Sequence, residues 1–265
     1  MLKVNRSSYY KHFSTGISSR ELENQALRSD ILVIYSKSQK RLGAHKIRQR
    51  LLVEYNKKVS VGRVYRLMKS MTLPKMSTAK PKTKSSNPDS SARQNHLKGE
   101  FNPKAVNQVW ASDITYVKVS GQFCYICVVM DLFSRKIIAY KSSTRIDTKL
   151  VIDTFRSAYS KRGCPAGVMF HSDQGCQYTS KDFRKELDCV SFVQSFSAKG
   201  HPYDNAVLES FFKYLKKEAL NRKSFVSLPQ LNMALFEYIE SFYNKRRPHS
   251  ANHWLSPDEK EAFIP

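Results

Sequence analysis

The 265-residue sequence contains no apolar stretch long enough to cross a bilayer. Its run at residues 124–130 falls far short of the roughly 20 residues a spanning helix needs. The first residues, Met1, Leu2, Lys3, Val4, Asn5 and Arg6, lack the apolar core of a secretory signal. Cysteine is sparse and odd in number, at five, which points to reduced thiols in a cytosol and away from a disulfide framework. Cys124 and Cys127 are close in sequence but fall in a β-branched, aromatic run. Residues three apart in a strand face opposite sides, so these thiols cannot share an ion, and no second Cys or His pair completes a zinc set. They read as packing residues. Acid is scarce as well, with 22 Asp and Glu against 45 Lys and Arg, a net charge of +23. On these absences neither a membrane-spanning nor a secreted protein is expected.

What remains is a basic chain with the means to fold. At 41% hydrophobic and 12% aromatic, its charge is not the signature of disorder. Residues 1–105 hold 23 of the Lys and Arg but only 6 of the acids. A strongly basic front half joined to a nearly balanced back half predicts a polyanion-binding module attached to something else. Ribosomal-type RNA binding or simple solubility charge would give the same balance.

Apolar spacing predicts a helix over 20–36, with Leu22, Ala26, Leu27, Ile31, Ile34 and Tyr35, and another over 44–55, with Ile47, Leu51 and Leu52. After the polar turn Asn56-Lys57-Lys58, Ser60 is a candidate cap for a third helix, apolar at Val61, Val64, Leu67 and Met68. The opposite face of that helix carries Arg63, Arg66 and Lys69, the candidate DNA contacts of a helix-turn-helix over residues 1–73. A three-helix bundle with a solvated basic face would show the same pattern. Residues 74–104, rich in Lys, Ser, Pro, Asn and Thr, read as a basic flexible linker.

From residue 105 to 265 the period changes. Strands are predicted over 109–119 and 123–131 with Ser120-Gly121 as their turn, then 136–142, 166–170 and 191–196. Helices are predicted over 148–159, 180–187, 204–221 and 228–243. Hairpin strands first and crossover strands later make an α/β fold, a mixed sheet flanked by helices.

Three acids occupy telling places in this scheme. Asp113 lies inside the first strand, Asp173 just past the end of a short apolar strand, and Glu209 one turn into a helix. Ligand sites commonly form where strands end. Three hard oxygen donors in a half-open site suit Mg²⁺ or Mn²⁺. Singly, each acid is equally a solvated strand end or half of a helix salt bridge.

The wider context resembles the integrase-type DDE catalytic subunit of bacterial insertion-sequence transposases, the second-reading-frame (OrfB-type) product. The resemblance rests on Asn107-Gln108-Val109-Trp110-Ala111-Ser112-Asp113-Ile114-Thr115-Tyr116, on Asp131-Leu132-Phe133-Ser134-Arg135 and on His171-Ser172-Asp173-Gln174-Gly175. It continues in Gly200-His201-Pro202-Tyr203-Asp204-Asn205-Ala206 through Glu209, then in Tyr243-Asn244 with Arg247, His249, Ser256 and Pro257. Thirty-five residues separate Asp173 from Glu209, the interval that names the group. The resemblance implies an RNase H-like core behind a small all-α helix-turn-helix domain. It also implies a catalytic and metal-binding triad of Asp113, Asp173 and Glu209 holding two ions, Mg²⁺ or Mn²⁺. Lys216, seven residues after Glu209 and on the same helix face, is then expected to meet DNA near the scissile phosphate. His201, Tyr203 and Asn205 fall in a loop expected to order around DNA, and Arg247 is a further candidate contact. Lys213 reads as a helix ion-pair partner of Glu209, and His171 as a structural histidine.

The activity implied is metal-dependent cleavage and transfer of DNA strands in the bacterial cytosol or nucleoid. The expected partners are terminal inverted repeats, target DNA, further copies of the chain, and an upstream-frame protein carrying a second helix-turn-helix. Such an upstream segment, often joined by frameshifting, is expected to precede this sequence. No cysteine precedes residue 124, so the zinc domain of retroviral integrases is not expected. A non-catalytic DNA-binding regulator and a plain RNase H-like nuclease are the competing readings.

Overall fold

A computed structural model describes residues 5–7, 9–10, 18–73, 94–197 and 205–263. The chain divides into two compact units, Met1–Thr78 and Ala79–Pro265. Among the described residues no helix is long and apolar enough to cross a membrane.

The first unit is built from α1 (Ser19–Lys37), α2 (Ala44–Tyr55) and α3 (Val61–Ser70). Each boundary has a local cause. Ser18 and Ser60 accept backbone N–H groups from Glu21 and Arg63, satisfying donors that the first turn of a helix leaves free. Asn56 adopts the left-handed conformation, φ 49°, that ends α2, a geometry its short polar side chain tolerates. Leu27, Ile31, Ile47, Leu51, Val64 and Leu67 are buried, which turns the basic residues of α3 outward.

The second unit holds a five-stranded sheet in the order β3-β2-β1-β4-β5: β1 (Val109–Val119), β2 (Gln122–Asp131), β3 (Ile137–Ser143), β4 (Met169–Ser172) and β5 (Val193–Phe196). The first three strands pair antiparallel, while β4 and β5 join parallel to β1. Ser120 and Gly121, both at positive φ, make the two-residue turn that matches the strand twist. The crossovers are α4 (Thr148–Lys161) and α5 (Lys181–Cys189). They cover one face with a core of interlocking rings, where Phe155 meets Phe170, Phe183 and Phe192 edge-on at 5.4–5.8 Å. Strand β4 begins at Met169, later than apolarity alone predicts, because Gly167 turns the chain at φ 71°.

The chain continues in α6 (Ala206–Glu218), which packs against β1, and α7 (Leu228–Phe236). A π-helical stretch, Glu237–Tyr243, extends α7 and turns Tyr238, Ile239, Phe242 and Tyr243 inward, and α8 (Pro257–Ala262) follows under a Ser256/Glu259 capping box. Glu218 at the end of α6 is buried against Arg247, which donates to both its carboxylate oxygens at 2.9 Å, while the Tyr238 hydroxyl donates to the same carboxylate at 2.8 Å. The architecture of the second unit is thus an α/β mixed sheet flanked by helices, and the small helical unit precedes it in the chain.

Candidate active site

Strand register brings the first two acids together. Strand β1 pairs parallel with β4 so that Ala111 lies beside His171 and Ser112 beside Ser172; the next step along both chains is Asp113 and Asp173. Side chains alternate along a strand, so Ser112 points into the core. Its hydroxyl donates to the Val128 carbonyl and meets the Tyr178 hydroxyl at 2.8 Å, which turns Asp113 to the opposite face. Below the end of β4, the His171 ring is buried between the Ser195 and Ser197 hydroxyls, at 3.0 and 3.1 Å. It is the structural histidine that the sequence suggested.

Helix α6 supplies the third side. Asn205, at its N-cap, donates from Nδ2 to Asp113 Oδ2 at 2.8 Å, and the Ile114 N–H donates to Oδ1 at 2.7 Å. Glu209 lies four residues beyond Asn205, hence above it on the same helix face, and is exposed. Burial, then the charge of Asp173 and more weakly that of Glu209, drive the Asp113 carboxyl up to about 7, against the two hydrogen bonds. Asp173 is also raised, by the protein packed round its carboxyl, although the residue as a whole reaches solvent. Its Oδ1 accepts the Gly175 N–H at 3.0 Å; a Cβ at Gly175 would stand 3.0 Å from that same oxygen, so a side chain there would press on the carboxylate.

The Asp113 carboxyl, raised by burial and by the charge of neighbouring acids, is a donor that a divalent cation would relieve. Among the described residues, however, no three His, Cys, Asp or Glu side chains are gathered closely enough to hold an ion. Asp113 is held by Ile114 and Asn205, and Asp173 by Gly175. The oxygen chemistry of the three acids fits Mg²⁺ or Mn²⁺.

An integrase core domain matches residues 103–202, a second integrase core model matches 191–257, and an HTH-like domain matches 21–82. The transposase for insertion sequence element IS904 of Lactococcus lactis is 36% identical over 247 residues, 93% of this chain and 97% of that protein. The chain belongs to the insertion-sequence transposases. Transposase InsF of insertion sequence IS3A from Escherichia coli is 33% identical over 267 residues, 98% of this transposase and 91% of InsF. Among solved structures, the HTLV-2 integrase catalytic core domain in complex with magnesium is 18% identical, with a TM-score of 0.47, covering 58% of this chain and 96% of that one. This transposase is a DDE-type polynucleotidyl transferase with an HTH-like domain before an integrase core.

The other expected site residues divide. Lys216 is half-buried, its amine 4.8 Å from the centre of the Tyr116 ring; burial lowers its pKa, against the opposing pull of Asp113. Arg66 and Lys69 are exposed on α3. With Arg20, Arg28 and Arg63 in the same unit, Arg66 lines a shallow pocket of about 200 Å³ between α1 and α3. Arg63 is already held by both Glu23 oxygens at 2.9 Å and by Asn24.

Arg247 is 3% exposed, forked onto Glu218 and stacked on Tyr214 at 4.1 Å, so in this structure it serves an internal ion pair. Asn205 is half-buried and donates from its amide nitrogen to Asp113. Among the described residues, Lys213 and Glu209 form no ion pair. His201 and Tyr203 lie outside the described residues, as does the 74–93 part of the predicted linker. The Glu218–Arg247 pair escaped sequence reasoning because its members lie 29 residues apart, one at the end of α6 and the other in extended chain just past a short helical turn. Glu218 in an otherwise apolar stripe, beside Leu215 and Ala219, was the available signal.

Proposed function

We propose that Asp113, Asp173 and Glu209 are the catalytic carboxylates of this transposase, and that with them it cleaves and joins the DNA strands of an insertion element. The observation that carries this reading is the β1–β4 register: its last pair, Ser112 with Ser172, leaves Asp113 in β1 next to the point where Asp173 follows the end of β4. Phosphodiester exchange needs an in-line nucleophile and neutralised charge at phosphorus, and no enzyme nucleophile. No Ser, Cys or His in reach of the acids is needed for it. Asp113 is oriented by Ile114 and Asn205, and Glu209 is presented from the face of α6 that Asn205 fastens to β1. Two divalent ions held by the three acids would neutralise the phosphate and activate the attacking hydroxyl. The carboxylates act as ligands, and Lys216 sets a positive charge beside them for the DNA backbone.

The exposed Arg66 and Lys69 make the helical unit the grip on double-stranded DNA, the terminal repeat and the target, since phosphate contacts hold a duplex in register. Joining two element ends requires two or more copies of the chain. The upstream-frame protein fits as a second end-recognition module, and the bacterial cytosol as the place of action. Mixing the chain with a labelled terminal inverted repeat, Mg²⁺ and a plasmid tests the proposal beside Asp173→Asn. Strand-joined product from the wild type and none from the variant supports it. Cleavage without joining would favour a nuclease, and binding by both proteins without either reaction would favour a regulator.

A further inference from the structure

Two large rings stand in solvent on the β1–β2 hairpin. Tyr116 is 55% exposed and Phe123 47%, and they meet edge to face at 5.1 Å. The register pairs Tyr116 with Tyr125 and Lys118 with Phe123, so all four share one face of the hairpin, and that face continues from the ring core. Each exposed ring carries an ammonium: Lys118 lies 5.6 Å from the Phe123 centroid and Lys216 4.8 Å from that of Tyr116. Lys216 stands on α6 seven residues beyond Glu209 and on the same helix face, so the ring it covers adjoins the helix that presents that acid.

Exposed rings have little to offer a fully stacked duplex, whose bases show their edges in the grooves and whose outer surface is phosphate. Rings interleaved with cations are what unpaired bases require: a π-face to stack on and a positive charge for the adjoining phosphate. We propose that Tyr116 and Phe123, with Lys118 and Lys216, form a stacking platform for unpaired bases flanking the phosphate at the acidic site. The occupant is single-stranded DNA at a frayed or cleaved strand end, and the platform keeps that end from re-pairing while the phosphate is handled. The inference rests on the proposed catalytic role of the neighbouring acids.

The test compares a blunt duplex with one carrying unpaired terminal bases, one of them 2-aminopurine, whose fluorescence is quenched on stacking. The full chain should bind the frayed duplex more tightly than the blunt one, with quenching. Tyr116→Leu and Phe123→Leu should each lose about tenfold of affinity for the frayed duplex alone, the change that 1.4 kcal/mol of lost stacking produces. Tyr116→Phe and Phe123→Tyr should keep the preference, because the ring and not the hydroxyl does the stacking. Both sites are exposed, so the melting temperature should not move, and a thermal melt of each variant checks this. Equal binding of the two duplexes by the wild type would overturn the proposal. So would Leu variants that keep the preference, which would leave the rings to a protein partner. Strand joining by the same wild-type preparation separates the two claims: joining without a frayed-end preference sinks only the platform, and preference without joining sinks only the catalytic reading.

Discussion

Removing the Arg247 guanidinium should be among the most damaging single changes outside the ring core. Glu218 and Arg247 are 1% and 3% exposed, and the pair makes two hydrogen bonds of 2.9 Å with a third from Tyr238. Arg247→Met keeps most of the stem volume but takes two charge-assisted hydrogen bonds from a carboxylate in the core. Breaking one side of a buried ion pair costs about 3–5 kcal/mol. In a unit of this size each kcal/mol shifts the midpoint by about 2–4 °C, so the melt should fall by about 6–20 °C. The double variant Glu218→Leu/Arg247→Met removes the stranded charge and should recover most of that loss, although Tyr238 then loses its acceptor. Thermal and denaturant unfolding of the wild type, both single variants and the double variant form the cycle. A single-variant cost below about 1 kcal/mol, the range of an exposed pair, or a double variant no better than Arg247→Met, would refute the reasoning. The cycle also bears on catalysis, because the pair holds the C-terminal end of the helix that carries Glu209.

Gly175→Ala would set a methyl 3.0 Å from the Asp173 carboxylate, which must give by a few tenths of an ångström. Strand joining should drop by up to about tenfold, less than the roughly hundredfold of a full ångström's misplacement, with the circular dichroism spectrum unchanged. Glu261 is raised by burial, but the hydrogen bonds from Arg162 and Ser134 win, and its pKa ends below the ordinary 4.5. A depressed folded pKa contributes stability above the unfolded value, so Glu261→Gln should cost most near neutral pH. Its cost should shrink as pH falls from about 5 toward 3, read by denaturant midpoints across that range. Arg66→Ala/Lys69→Ala should flatten the plot of log affinity against log salt by about two contacts' worth, at about 0.9 per contact; an unchanged slope would remove α3 from the DNA grip.

The elements were legible to the extent that their causes are local. Ser60, Ser120-Gly121 and the apolar spacing of α1 to α3 mark boundaries that the structure keeps within a residue or two. Where the causes are distant, the sequence is silent. Arg247 looks like a nucleic-acid contact because arginine usually is one, and only the fold reveals Glu218 opposite it. Asn205 sits in a loop-like, polar motif, yet its partner Asp113 is 92 residues away. The π-helical stretch at Glu237–Tyr243 gives no periodic signal, because one extra residue in a turn alters register without altering composition. The three acids could be singled out by spacing and context; that β1 and β4 pair parallel, in the register that leaves Asp113 next to the point where Asp173 follows β4, required the structure.

The claim that these acids form one metal-binding centre is tested most directly by titrating the chain with Mn²⁺ and following the free ion by electron paramagnetic resonance. The wild type should bind two ions. Asp113→Asn and Asp173→Asn should each abolish tight binding, while the control Lys149→Ala, on the far crossover helix, leaves it intact. Equal Mn²⁺ uptake by the wild type and both Asn variants would contradict the account.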